Sequence, residues 1–269
     1  MKLDYRPKGY RAVTPGISAS GAGRLAEFLE RALGATVQEC TKNADGTIGH
    51  GVLQIGDSLV EIGEARPECP ARPCGIHLYS PDTDALYKRA VDAGARTLQA
   101  PKDETYGDRA AAVQDPAGNQ WYLATRLENG HIPKGFHTLT PYLIARGADA
   151  VMAFMKAAFG ATEQLRFEKE DGSVMHAEML IDDSMIEIAD GAPPWKPMPC
   201  ALHLYVPDAD DAHARAAAAG ATTLYQPKDM PYGDRECGVQ DPAGNHWYIA
   251  THIEDVSEEE FMRRMAVKA

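Results

Sequence analysis

Apolar and polar positions along this chain fall into two alternating periods, and the same order of elements keeps returning. A strand is expected at Arg11–Ala19, followed by a helix at Ala22–Leu33. Leu25, Phe28, Leu29, Ala32 and Leu33 share one helical face there, and Gly34 ends it. Three short strands fit Thr36–Thr41, Ile48–Ile55 and Ser58–Gly63, separated by the hairpin dipeptides Asp45-Gly46 and Gly56-Asp57. Pro67, Pro70 and Pro73 mark a linker, after which the order restarts. A strand is expected at Gly75–Ser80, a helix at Asp82–Ala93, and strands near Thr97–Gln99, Ala110–Gln114 and Gln120–Thr125. Each such run reads as two βαβββ modules.

The chain then repeats itself. Residues 9–128 fall without a gap on residues 135–254, at a shift of 126 positions (135 − 9), and 55 of the 120 pairs are identical. A period this long indicates a duplicated domain, not a solenoid. Two domains are therefore expected, at 9–128 and 135–254, joined through Asn129–Lys134, with a C-terminal helical tail over 255–269. In the tail Ser257 and Glu260 form a capping box, and Phe261, Met262 and Met265 an apolar stripe.

Period-two alternation assigns side chains to sheet faces. In Val174–Ile181, Met175, Ala177, Met179 and Ile181 share one face and His176 and Glu178 the other. Ile186 and Ile188 oppose Glu187; Leu202, Leu204 and Val206 oppose His203 and Tyr205; Trp247 and Ile249 oppose His246, Tyr248 and Ala250. With helices covering the apolar faces, one polar face gathers His176, Glu178, Glu187, His203, Tyr205 and Tyr248. The first half keeps His50, Glu61, His77, Tyr79 and Tyr122, but has Val52 where the second has Glu178. A single strand histidine is more often structural than catalytic. The paired His and Glu make this face a candidate polar-lined cavity.

Composition narrows the classes. Apolar content of 44% with 25% charged residues suits a globular protein. A net charge of −12 argues against a nucleic-acid partner. No apolar run approaches membrane-spanning length, and residues 1–14 lack the apolar core of a signal peptide. Five cysteines without CxxC spacing favour a reducing compartment, so the cytoplasm is expected. Cys74 and Cys200, equivalent in the repeat, read as small buried apolar residues. Asp115-Pro116-Ala117-Gly118-Asn119 and its copy at 241–245 read as structural turns. Arg109 and Arg235 have two readings, an ion pair with a neighbouring carboxylate or a substrate-binding group.

His176-Ala177-Glu178, Leu202–Val206, Tyr232–Arg235, Asp241–Asn245 and Trp247–Thr251 together resemble motifs of the vicinal oxygen chelate superfamily (glyoxalase I, bleomycin-resistance proteins, extradiol dioxygenases). Within it they look most like the PhnB-like branch, over nearly the whole chain. The resemblance implies an α+β fold of tandem glyoxalase-like domains: four βαβββ modules forming curved half-barrel sheets, with helices outside. It also implies a four-residue metal site from the first, fourth, fifth and eighth strands. Glu61 and His77 match the second and third positions, as do Glu187 and His203, while Thr14, Thr140, Tyr122 and Tyr248 occupy the others. Two good ligands of four fall short of the usual three. No cofactor is expected, and a divalent metal on Glu61, His77, Glu187 and His203 is the one exception the resemblance leaves open.

The function expected is binding of a small molecule, with metal-independent lyase or isomerase activity on a carbonyl-containing substrate. Two alternatives stand beside it: a non-catalytic sequestering protein of the bleomycin-resistance type, and a metal-dependent glyoxalase- or dioxygenase-like enzyme. The catalytic candidates are His77, Glu61, His203 and Glu187. The substrate-binding candidates are His50, His176, Glu178, Tyr79, Tyr205, Tyr122, Tyr248, Arg109 and Arg235. The halves are expected to form an intramolecular pseudo-dimer, with further homodimerisation open. The second half, with Glu178 beside His176, is expected to hold the better-equipped pocket, while sites drawing on both halves remain open.

Overall fold

The computed structural model describes residues 3–67, 69–128 and 130–267. The first module contains β1 (Val13–Ala19), α1 (Ala22–Leu33), β2 (Thr36–Lys42), β3 (Ile48–Ile55) and β4 (Ser58–Glu64). The second contains β5 (Gly75–Tyr79), α2 (Thr83–Asp92), β6 (Arg96–Asp103), β7 (Asp108–Gln114) and β8 (Gln120–Arg126). In the second half come β9 (Leu139–Ala145), α3 (Ala148–Phe159), β10 (Thr162–Glu168), β11 (Val174–Ile181) and β12 (Ser184–Asp190). The last module contains β13 (Ala201–Tyr205), α4 (Ala209–Ala218), β14 (Thr222–Asp229), β15 (Asp234–Gln240) and β16 (His246–His252), and α5 (Glu258–Val267) follows.

Local signals explain most of these bounds. Gly34 and Gly160 end α1 and α3 in the left-handed conformation, at φ of 73° and 70°. Asp82 and Asp208 cap α2 and α4 by accepting from the backbone N–H three residues on. The apolar faces of α1 and α3 bury Phe28, Leu29, Phe154 and Met155 against the sheets. In the Asp115–Asn119 turn, Asp115 accepts from the N–H groups of Ala117 and Asn119, from the Asn119 amide and from the fully buried Trp121 indole. The Asp241 turn repeats this bonding with Trp247. Cys74 and Cys200 are buried, and all five cysteines are free thiols.

Two local expectations need correction. Met175 is 51% exposed although Ala177, Met179 and Ile181 of the same face are buried, because the β10–β11 register shifts there. Phe167 pairs with His176 and Glu168 with Val174, which bulges Met175 outward and turns the buried Val174 to the core. The strand expected at Thr97–Gln99 extends over Arg96–Asp103 despite Pro101. β6 lies at a sheet edge and its register shifts between Gln99 and Lys102, so Pro101 removes no needed donor.

The sheets are built across the repeat. One runs β14-β15-β16-β13-β1-β4-β3-β2 and the other β10-β11-β12-β9-β5-β8-β7-β6. The first module thus shares a sheet with the fourth, and the second with the third. The joining strands pair antiparallel and equivalently, Thr14 opposite His203 and Thr140 opposite His77. Helices stay within their halves, α1 packing on α2 and α3 on α4. Side chains tie the exchange further. Asp183 and Ser184 accept from the N–H groups of Ala12 and Val13, at 2.9 and 3.0 Å. Asp57 and Ser58 do the same for Thr138 and Leu139, at 2.9 and 3.1 Å. A two-fold-like core runs through the chain.

Candidate functional site

Cross-half pairing decides which residues meet. The four positions expected to form one site fall together as Thr14, Glu61, His203 and Tyr248 on one sheet. On the other sheet they are Thr140, Glu187, His77 and Tyr122. Glu61 therefore meets His203 rather than His77, and Glu187 meets His77 rather than His203. Each site takes its carboxylate from one half and its imidazole from the other.

At the first site, His203 Nδ1 lies 2.9 Å from Glu61 Oε1, and its Nε2 lies 3.6 Å from Glu236 Oε2 with no hydrogen-bond partner. Burial would lower the His203 pKa, but the charge and hydrogen bond of Glu61, with Glu236 and Asp234 nearby, push it up to about 9. Burial acts to raise the Glu61 pKa, but the charge and hydrogen bond of His203, joined by those of His50, together hold it below the usual carboxylate range. Tyr225 and Tyr232 both donate to Glu236, the latter at 2.9 Å. Tyr10 lies edge-on to Tyr205 at 5.3 Å, and Tyr205 donates to Asp234 at 2.8 Å. Tyr248 stacks on Tyr225 at 6.4 Å. His50, half exposed, comes only to 3.9 Å from Glu61. Tyr10, Tyr205, Tyr225, Tyr232 and Tyr248 thus gather around this site.

At the second site, His77 Nδ1 faces both Glu187 oxygens, at 3.0 and 2.8 Å, and its ring stacks on Tyr79 at 4.4 Å. His176 meets the Tyr142 hydroxyl through Nδ1 at 3.1 Å and Glu178 through Nε2 at 3.6 Å. Burial acts to lower its pKa, but the Glu178 hydrogen bond and the charges of Glu187 and Glu178 leave it raised. Tyr122 lies 5.0 Å from Tyr142 and 5.4 Å from Trp195. Burial and the charge of Glu187 raise both phenols, so they stay protonated donors. His176 and Glu178, from the second half, thus share a site with His77 from the first.

Arg109 and Arg235 lie in neither site. Arg109 pairs with Asp84 of α2 at 2.7 Å and with Asp103 at 3.1 Å. Arg235 pairs with Asp210 of α4 and Asp229. These are ion pairs on the helix side. A recess of about 390 Å³ lies elsewhere too, behind Tyr10, bordered by Arg6, Asp183, His252 and Asp255.

Sequence reasoning missed Glu236, Tyr225, Tyr142 and Trp195. Comparison of the two copies marks all four: they stand where the other copy has Ala110, Gln99, Gly16 and Cys69.

The donor sets do not suit the metal that the resemblance implies. Each site offers one imidazole and one carboxylate at the four positions, hydrogen-bonded to each other, with threonine and tyrosine in the other two. Among the described residues, no three His, Cys, Asp or Glu side chains form a group that could hold a metal ion.

The chain belongs to the Glyoxalase/Bleomycin resistance protein/Dioxygenase superfamily, whose sequence pattern matches residues 15–123 and 135–249. It is 32% identical over 139 residues to an uncharacterised protein of Mycobacterium bovis, covering 48% of this chain and 91% of that one. A second Mycobacterium bovis protein, proposed by its name to be a glyoxylase, is 25% identical over 197 residues, covering 70% and 74%. The fold is that of glyoxalase I from Zea mays, with a TM-score of 0.69 over 95% of this chain and 96% of that one, at 14% identity. No helix among the described residues is long and apolar enough to cross a membrane.

Proposed function

We propose that the chain binds a small carbonyl-containing molecule at the Glu187–His77 site and moves a proton on it without a metal, as a lyase or isomerase. The observation that carries this reading is the double contact of His77 Nδ1 with Glu187, beside the Tyr142–His176–Glu178 chain. An Nδ1–H donated to the carboxylate fixes the tautomer that leaves the Nε2 lone pair free to take a proton. In this scheme Nε2 of His77 removes the proton from a carbon next to the substrate carbonyl. The phenol of Tyr142, positioned by His176, donates a hydrogen bond to the enolate oxygen as charge grows there. Return of that proton from His77 to the former carbonyl carbon, with transfer of the α-hydroxyl proton to the former carbonyl oxygen, completes an isomerisation, so no other reactant enters. Cytoplasmic residence and a place in the PhnB-like branch belong to the same proposal, supported by the free thiols and by the motifs.

Exchange of the α-protons of α-hydroxyacetophenone for deuterium, followed by NMR, tests the reading. The protein should accelerate exchange. His77→Gln should remove that acceleration by about 10²-fold or more, the usual contribution of a positioned base. His50→Ala should leave it unchanged. Acceleration that survives His77→Gln would refute the role given to this residue.

A further inference from the structure

The two sites descend from one repeat, yet their walls have diverged in a consistent direction. On the Glu187–His77 side stand Tyr142, Trp195, Leu165 and Phe167, where the other copy has Gly16, Cys69, Glu39 and Thr41. Leu165 pairs with Glu178 and Phe167 with His176, which places both apolar side chains on the site's own face, where they are exposed. Tyr122 sits between Tyr142 and Trp195 at ring separations of 5.0 and 5.4 Å, tilted against both. Gly75 makes room for this arrangement, since a Cβ there would meet the Tyr142 carbonyl oxygen at 2.5 Å and the Tyr122 ring at 3.3 Å. The equivalent residue in the other copy is Ala201.

The charge on this face is as one-sided as its aromatic content. Among the described residues, Lys102 and Arg126 of this face are paired, with Glu104 at 3.1 Å and with the buried Asp108 at 2.9 Å, while Lys196, which follows Trp195, is exposed. Among the described residues, Glu178 and Glu187 have only histidines as charged partners. On the Glu61–His203 side, Tyr225 occupies the corresponding space: a Cβ on Gly238 would lie 2.5 Å from its ring.

The geometry points to a planar aromatic cation as the ligand of the Glu187–His77 site, stacked beside Trp195 and Tyr122 with its charge toward Glu178, one per chain. This rests on the reading of that site as the ligand site. Flat aromatic faces hold a ring by dispersion and a cation by their quadrupole. The carboxylates add selectivity by sign.

Trp195 also makes the proposal measurable. Trp121 and Trp247 are fully buried, so Trp195 is the tryptophan within reach of a ligand. Protein labelled with 5-fluorotryptophan is titrated with N-methylquinolinium and followed by ¹⁹F NMR, the Trp195 resonance being assigned through Trp195→Phe. Expected is a shift of that resonance alone, with calorimetric stoichiometry of one. Trp195→Ala should weaken binding about tenfold, as the loss of one cation–π contact of this kind implies. Glu178→Gln should weaken N-methylquinolinium but not neutral quinoline. Tyr248→Ala, at the other site, should change nothing. Tetramethylammonium and 2-naphthoate, which lack the ring and the positive charge respectively, should both bind at least tenfold more weakly. An unmoved Trp195 resonance, equal binding of 2-naphthoate, or two equivalent sites would overturn the assignment. Deuterium exchange that still depends on His77 would then show that the ligand class had failed and not the site.

Discussion

At the scale of single residues, the His–Glu partnerships set both the chemistry and a pH dependence. His203, with a folded pKa of about 9, holds its proton more tightly than an unfolded histidine near ~6.5. A raised folded value means that this stabilisation is complete below pH ~6.5 and is lost as pH rises through about 9. Glu61 works in the opposite sense. Its lowered folded value gives stability above the ordinary carboxylate pKa of about 4.3 that is lost as pH falls through the folded value. The pair is therefore fully stabilising between about pH 4.5 and 6.5. Urea unfolding should show the stability difference between wild type and His203→Asn shrinking steadily from pH 6.5 to about 9.5. A difference that stays constant or grows over that range would contradict the ion pair. The histidines and carboxylates of the face were legible in the sequence because alternation assigns them to it. Glu236 and Tyr142 were not singled out, because attention to what the copies share hides what one copy has gained.

At the scale of elements, the sequence was most legible where a bond pattern is local. The Asp-Pro-Ala-Gly-Asn turn could be read from its residue types, yet its weight comes from a long-range partner. Asp115 collects four donors, and the Trp121 indole among them anchors the turn to the core. Asp115→Ala should leave several buried donors unmatched and cost about 2–4 kcal/mol, as should Asp241→Ala. The two sites lie in different sheets, so the double variant should be close to additive. Chemical denaturation measures both quantities; a cost under ~0.5 kcal/mol, typical of a surface change, would mean the turn is replaceable. Edge strands were the hard case. The register shifts around Pro101 and Pro227 break the alternation on which strand reading depends, so β6 and β14 extend past where the pattern stops.

At the scale of the whole molecule, periodicity says which face a side chain occupies but nothing about which strand lies beside it. The repeat makes this ambiguity complete, because β5 and β13 are equivalent edges and β1 could pair with either. What distinguishes the outcomes is the packing of α1 on α2 and α3 on α4, which keeps the helices of a half together, while Asp57 and Asp183 tie each half to the first strand of the other. The consequence is testable through energy instead of coordinates. Double-variant cycles in urea should give a coupling of about 0.5–3 kcal/mol between Glu61 and His203, and again between Glu187 and His77. Glu61 with His77, and Glu187 with His203, should be additive within ~0.5 kcal/mol although each pair lies within one half. Unfolding should be a single transition for the same reason, since neither half can lose its strands without opening both sheets. Two separated transitions, or coupling that follows the halves, would mean that the exchanged sheets are not the structure in solution. Sites shared in this way also explain how the copies could diverge. A substitution in one half alters only one of the two sites, so Ala110 or Glu236, and Gly16 or Tyr142, can be set independently while the framework that holds the His–Glu pairs stays common to both.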